Sequence, residues 1–262
     1  MNGNLTKLNY CLVVRLATVL ACGLGTSMAW APSAQAVGDV QVTVTDGNLV
    51  IAGDGRDNNI MVILSPGVVR VVGRAGTTVN GERDLFEVDG VTNDIALEMR
   101  GGDDFVRVEV SFGANPIPGD LRIDTGKRDD MIELLGVAMA GETRIGTGDG
   151  NDIIFIDGVF SFNEEFIRSD FAGRFAEETG DGEDLVEINN AIFRGEVDVK
   201  LGNGIDGACS NASEYQSLDQ TTFDGGEPSE FPGDGFVESA GEIFINFEHS
   251  PDDCSFLGGR NF

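Results

Sequence analysis

Cations are scarce in this sequence: 17 Lys and Arg stand against 45 Asp and Glu, a formal net charge of -28 over 262 residues. A surface of that sign excludes nucleic acids and anionic membranes as partners, because both are bound through clustered Lys and Arg. His249 is the only histidine and no Cys-x-x-Cys pair occurs, which excludes zinc sites built on that spacing. The chain also lacks an HExxH pair, a P-loop, a nucleophile elbow and a dinucleotide fingerprint. No uninterrupted apolar run reaches the roughly 20 residues that a membrane-spanning helix needs. What is plentiful is glycine, 37 residues beside 7 prolines, together with 41% hydrophobic residues. That mixture supplies a core and many tight corners, the composition of short strands joined by frequent turns.

The beginning of the chain reads as an export signal over residues 1–36. Lys7 and Arg15 precede the apolar stretch LATVLACGLGTSMAWA, and Ala34-Gln35-Ala36 has the small-x-small form of a cleavage site. A competing reading takes Val19-Leu20-Ala21-Cys22 as an imperfect lipobox, which would lipidate Cys22 and tether the protein to a membrane. Either route places the mature chain outside the cytoplasm, as a secreted, periplasmic or cell-surface protein. Cleavage removes Cys11 and Cys22, leaving Cys209 and Cys254 as a pair that an oxidising compartment allows to form a disulfide. Two unpaired buried thiols are the alternative.

Internal repeats govern the rest. Segments starting at Gly119, Gly141, Gly173 and Gly195 share a template: Gly-acid-x-x-apolar, a short gap, a Gly-rich corner ending in Asp, then an alternating apolar strand. The corner residues Asp130, Asp152, Asp184 and Asp206 fall at steps of 22, 32 and 22, with the extra residues placed at Asn163 to Asp170. Upstream the pattern continues less cleanly through Asp57, Asp84 and Asp104. Runs such as FVRVEV put Val106, Val108 and Val110 on one face. Such short strands cannot bury a face alone, so successive units are expected to stack. The expected fold is all-β, a parallel β-helix or solenoid with one Gly-x-Gly-x-Asp corner per turn of about 22–26 residues. An antiparallel sandwich is the structural alternative. The repeats are read over 37–206, and 207–262 as an irregular acidic loop with a C-terminal capping strand, EIFINFEH.

Four corners have the full Gly-x-Gly-x-Asp form: GDGRD (53–57), GDGND (148–152), GDGED (180–184) and GNGID (202–206). They resemble the calcium-binding nonapeptide of hemolysin-type (RTX) repeats, Gly-Gly-x-Gly-x-Asp followed by alternating apolar residues. The resemblance implies a parallel β-roll holding calcium between turns through the motif Asp and backbone carbonyls. Carried onto this chain, the family's Asp corresponds to Asp152, Asp184 and Asp206; Asp149, Asp181 and Asn203 are added as supplementary oxygen ligands on the present reading. The pattern departs from the family in its spacing of 22 or more residues and in Thr147, Thr179 or Leu201 where the first Gly would stand. Lys127, Arg128 and Arg100 enter two other corners as competing cations. The whole chain looks closer to longer-turn right-handed β-helix repeats of bacterial secreted and surface proteins. A metal-free alternative has the corner Asp capping backbone N–H groups while Gly supplies positive φ.

Three functions follow as expectations. The first is a secreted calcium-binding repeat protein with a non-catalytic surface, matrix or adhesion role, its partner an extracellular polysaccharide or protein. The second is a polysaccharide-acting β-helix enzyme, for which Arg122 and Arg144, or Arg107, Glu133 and Glu187, are the outward columns to inspect. The third is a metal-free structural solenoid.

Overall fold

The computed structural model describes residues 38–111, 116–160, 165–217, 220–228, 235–237 and 243–245. The expected export signal, Cys22 and Cys254 lie outside these residues. The described chain is all-β with long parallel sheets, and among the described residues no helix is long and apolar enough to cross a membrane.

Parallel pairing follows the sequence repeat. In one sheet Ile95–Glu98, Leu121–Asp124, Thr143–Asp149, Phe175–Gly182, Val197–Lys200 and Thr221–Asp224 pair in that order, with Leu121 beside Thr143, Thr143 beside Phe175 and Phe175 beside Val197. A second sheet stacks Phe105–Val110, Met131–Leu135, Ile153–Asp157, Leu185–Asn189 and Gly207–Asn211 in the same sense. A third, which the periodicity did not reveal, joins Ala138–Met139, Ser169–Phe171, Ala191–Phe193 and Glu214–Tyr215. Between Leu121 and Tyr215 successive strands fall in the three sheets in turn, one strand of each to a rung. The rung holding the extra residues keeps this register because a short antiparallel hairpin, Val159–Phe160 with Phe166–Ile167, takes them up.

Alternation explains the core. Ile132, Ile154 and Val186 form one buried column of the second sheet, and Leu134, Ile156 and Ile188 the next. In the third sheet the rings of Phe171 and Phe193 stack at 5.2 Å, and those of Phe193 and Tyr215 at 5.0 Å. The Tyr215 hydroxyl is satisfied inside by Ser210, 2.7 Å away.

The first rung is built differently. Asp39–Thr45 pairs antiparallel with Asn48–Ala52 through a turn at Asp46 and Gly47, whose φ values of 50° and 82° suit the tight hairpin turn that an Asp-Gly pair forms. Asn59–Ser65, Val68–Gly73 and Phe86–Asp89 make a second antiparallel set. These hairpins lie ahead of the parallel series and cover the sheet edges that it would otherwise leave unpaired. At the other end the parallel pairing does not stop at Asp206, where the sequence periodicity breaks: Gly207–Asn211 and Thr221–Asp224 continue it.

A candidate functional site at the stacked corners

The Gly-x-Gly-x-Asp corners come together as columns linking the first sheet to the second. In the corners at 148–152, 180–184 and 202–206 stacking accounts for both glycines. Gly148 has φ +94°, and a Cβ there would overlap the carbonyl oxygen of Gly126 one rung away. At Gly150 a Cβ would collide with the Arg128 carbonyl in the same way. Backbone from adjacent rungs passes too close at both positions for any side chain.

The Asp that closes each corner points inward. Asp104, Asp130, Asp152, Asp184 and Asp206 are at most 3% exposed. Each uses Oδ1 to accept a backbone N–H from the rung before it. The Asn58 amide donates to Asp104 at 2.7 Å, Asp104 to Asp130 at 2.8 Å, and Asp130 to Asp152 at 2.8 Å. The ladder continues with Asp152 donating to Asp184 at 2.8 Å and Asp184 to Asp206 at 2.9 Å. The preceding residue in the corner makes the opposite connection, since Asp129 Oδ1 accepts the Asn151 amide and Asn151 Oδ1 the Glu183 amide, both at 2.9 Å. Each of these corners is therefore fastened to the rungs on either side. Thr147 and Thr179 add a third row, their hydroxyls donating to the carbonyls of Thr179 at 3.2 Å and Leu201 at 2.7 Å.

Burial dominates the electrostatics of the inner column. The second carboxyl oxygens of Asp104, Asp130, Asp152 and Asp184 are buried without a hydrogen-bond partner. Loss of solvation pushes Asp104 and Asp130 up to about 7, and Asp152 and Asp184 up to about 6, against the lowering effect of the Thr125, Thr147 and Thr179 hydroxyls beside the last three and of the amide bonds that all four accept.

The six residues expected to hold calcium are divided between two columns. Asp152, Asp184 and Asp206 form the buried one, whereas Asp149, Asp181 and Asn203 are exposed and in register with one another. In the exposed column Asp149 accepts from Lys127 Nζ at 2.9 Å and Asp181 from Asn203 Nδ2 at 2.7 Å. Corner carbonyls are also engaged: that of Asp149 accepts the Arg128 amide at 2.6 Å and that of Asp181 the Gly150 amide at 2.9 Å. Among the described residues no group of three or more His, Cys, Asp or Glu side chains is arranged to hold a metal ion. The six side chains therefore form two separate columns rather than one donor set.

Two upstream corners differ from their reading. Asp57 lies in the outer column, where it accepts the Asp103 amide at 3.0 Å, and Asn58 takes the inner position. Asp84 belongs to the antiparallel region and enters neither column. Cys209 is buried and disulfide-bonded.

Four of the five residues singled out for catalysis are ion-paired; the fifth, Glu187, is separated from Glu133 by Phe155 and accepts from Asn189 Nδ2 at 2.7 Å. Arg122 and Arg144 stand side by side in register, but each meets an acid of its own strand region, Asp124 at 3.5 Å and Glu142 at 3.1 Å. Arg107 lies 3.4 Å from Glu133 and 3.1 Å from Glu109. A depression of about 300 Å³ over the first sheet is lined by Arg144, Arg174, Glu178, Asp198 and Lys200. There Arg174 contacts Glu142, Glu196 and Asp198 within 3.2 Å, and Lys200 contacts Asp198 at 3.3 Å. Comparison with family models, curated proteins and solved structures returns no match.

Proposed function

We propose that this chain is an exported, non-catalytic parallel β-helix that serves as a surface, matrix or adhesion component, and that its corner aspartates are axial caps rather than calcium ligands. The observation that carries this reading is the inner ladder. Each of Asp152, Asp184 and Asp206 has Oδ1 committed to a buried amide, and both glycines of their corners are accounted for by the close passage of adjacent rungs. Drawing Oδ1 onto a cation would orphan a buried N–H at every rung, at about 1–3 kcal/mol each, and the second oxygen of Asp152 and Asp184 is sealed from solvent. The non-catalytic part is supported by ion-paired outward columns and by cavities as shallow as the depression over the first sheet. An acidic stack of parallel strands is suited to presenting a repeating flank to an extracellular polysaccharide or protein.

Thermal unfolding of the purified mature chain in excess EDTA and in millimolar CaCl2 tests the caps. The expected result is one melting temperature under both conditions. A saturable rise with calcium, absent with magnesium, would return the corners to the metal-binding reading.

A further inference from the structure

One position breaks the apolar column nearest the corners in the first sheet. Ile51, Leu97, Ile123, Ile145, Val199 and Phe223 stack in register, and between Ile145 and Val199 stands Glu177. Glu177 is 2% exposed, and neither of its carboxyl oxygens has a hydrogen-bond partner. It borders the depression that Arg144, Arg174 and Lys200 line, yet none of these cations reaches its carboxyl. The neighbouring strands of its sheet turn Arg144, Asp198 and Lys200 to the outer face, as its own strand turns Glu178. The adjoining strand Leu185–Asn189 contributes buried Val186 and Ile188, and the charge acting on Glu177 from the corner is that of Asp184, of like sign. An ionised carboxylate in such a place forgoes its hydration with nothing in exchange, whereas the protonated acid forgoes far less.

We propose that Glu177 is a proton-linked latch: its carboxyl is protonated in the folded chain, and its ionisation in alkaline medium loosens the stack at the strand Phe175–Gly182. Burial, reinforced by repulsion from Asp184, holds this acid up to about 8. The folded chain then binds one more proton than the unfolded chain between the ordinary glutamate range and that value. Stability contributed by the bound proton is complete in acid and is lost as the pH rises toward 8. The inference depends neither on the exported role nor on the absence of calcium at the corners.

The test is thermal unfolding of the wild type, Glu177→Gln and Glu177→Val from pH 5 to pH 9 in 0.5 M NaCl, which screens the acidic surface but not a buried group. Valine is chosen because Val199 fills the equivalent place one rung on. Whatever the gap between variant and wild type at pH 5, it is expected to move in the variant's favour by about 5–10 °C by pH 9. A gap that stays constant across the range in the variants that fold overturns the proposal. Infrared spectra at pH 7 give a second readout: because Asp104 and Asp130 also hold protons there, the expected signal is a protonated-carboxyl band in the wild-type minus Glu177→Gln difference, and a difference spectrum without it also overturns the assignment.

Discussion

Asp152 is the position at which an axial cap and a metal ligand make opposite demands on the side chain. It is fully buried, its Oδ1 accepts the Asp130 amide at 2.8 Å, and its other oxygen has no partner. Asp152→Ala removes the acceptor and leaves a buried N–H unpaired, at about 1–3 kcal/mol, with about 1 kcal/mol more for the space left behind. Asp152→Asn keeps the acceptor, and the column already shows how an amide is housed. At Asn58 the Nδ2 group donates at 2.6 Å to the carbonyl two residues back, that of Arg56. At position 152 the corresponding carbonyl belongs to Gly150. Asparagine also does not ionise, while burial pushes the Asp152 carboxyl up to about 6. In urea titrations with an unchanged m-value, Asp152→Ala is expected to lose about 2–3 kcal/mol at pH 5. Asp152→Asn is expected to stay within about 0.5 kcal/mol of the wild type at pH 5 and to exceed it by about 1–2 kcal/mol at pH 8. An asparagine variant as unstable as the alanine variant at both pH values would show that the site needs a negative charge rather than an acceptor, and would refute the cap argument.

The glycine columns give a paired test. Gly148→Ala meets the Gly126 carbonyl at a φ of +94° and should cost more than about 3 kcal/mol, or prevent folding. Gly146→Thr, two residues earlier, has its nearest neighbour at 4.0 Å and lies within a strand, so its melting temperature should match or slightly exceed the wild type. Phe193→Ala should cost about 3–5 kcal/mol by urea titration, because its ring contacts those of Phe171, Phe175 and Tyr215. The inner Asp column sets a pH dependence. Asp104, Asp130, Asp152 and Asp184 are raised from 3.8 to between about 6 and about 7, so the folded state holds extra protons in that window and stability should fall as pH rises from 5 to 8. The fall should persist in 0.5 M NaCl; a profile flattened by salt would assign it to the surface acids instead.

Strand type and repeat phase were legible in the sequence because both rest on local alternation and on a spacing that pairing must obey. The steps of 22, 32 and 22 between corner Asp residues reappear as the separations of hydrogen-bonded Asp pairs. The third sheet was not legible, since its strands of two or three residues, such as Ala138–Met139, are too short to show a period. Nor were the opening hairpins, whose strands alternate like the others and differ only in which neighbour they pair with. At the corners, composition marked the right residues but not their direction. Asp149 and Asp152 are three residues apart, and only the path of the chain sends one to solvent and the other inside. Glu177 was overlooked although a signal existed: aligning the units that begin at Gly141 and Gly173 sets it opposite Ile145.

The two opposed corner connections, one reaching to the rung before and one to the rung after, make neighbouring rungs interchangeable at their boundaries. Asp130 meets Asp152 through the same bond by which Asp152 meets Asp184 and Asp184 meets Asp206. Copying or deleting a segment such as 131–152 would place an Asp of identical geometry against each new neighbour. The number of rungs is thus a quantity that in-frame duplication can change in whole modules while the ladder of corner bonds is kept.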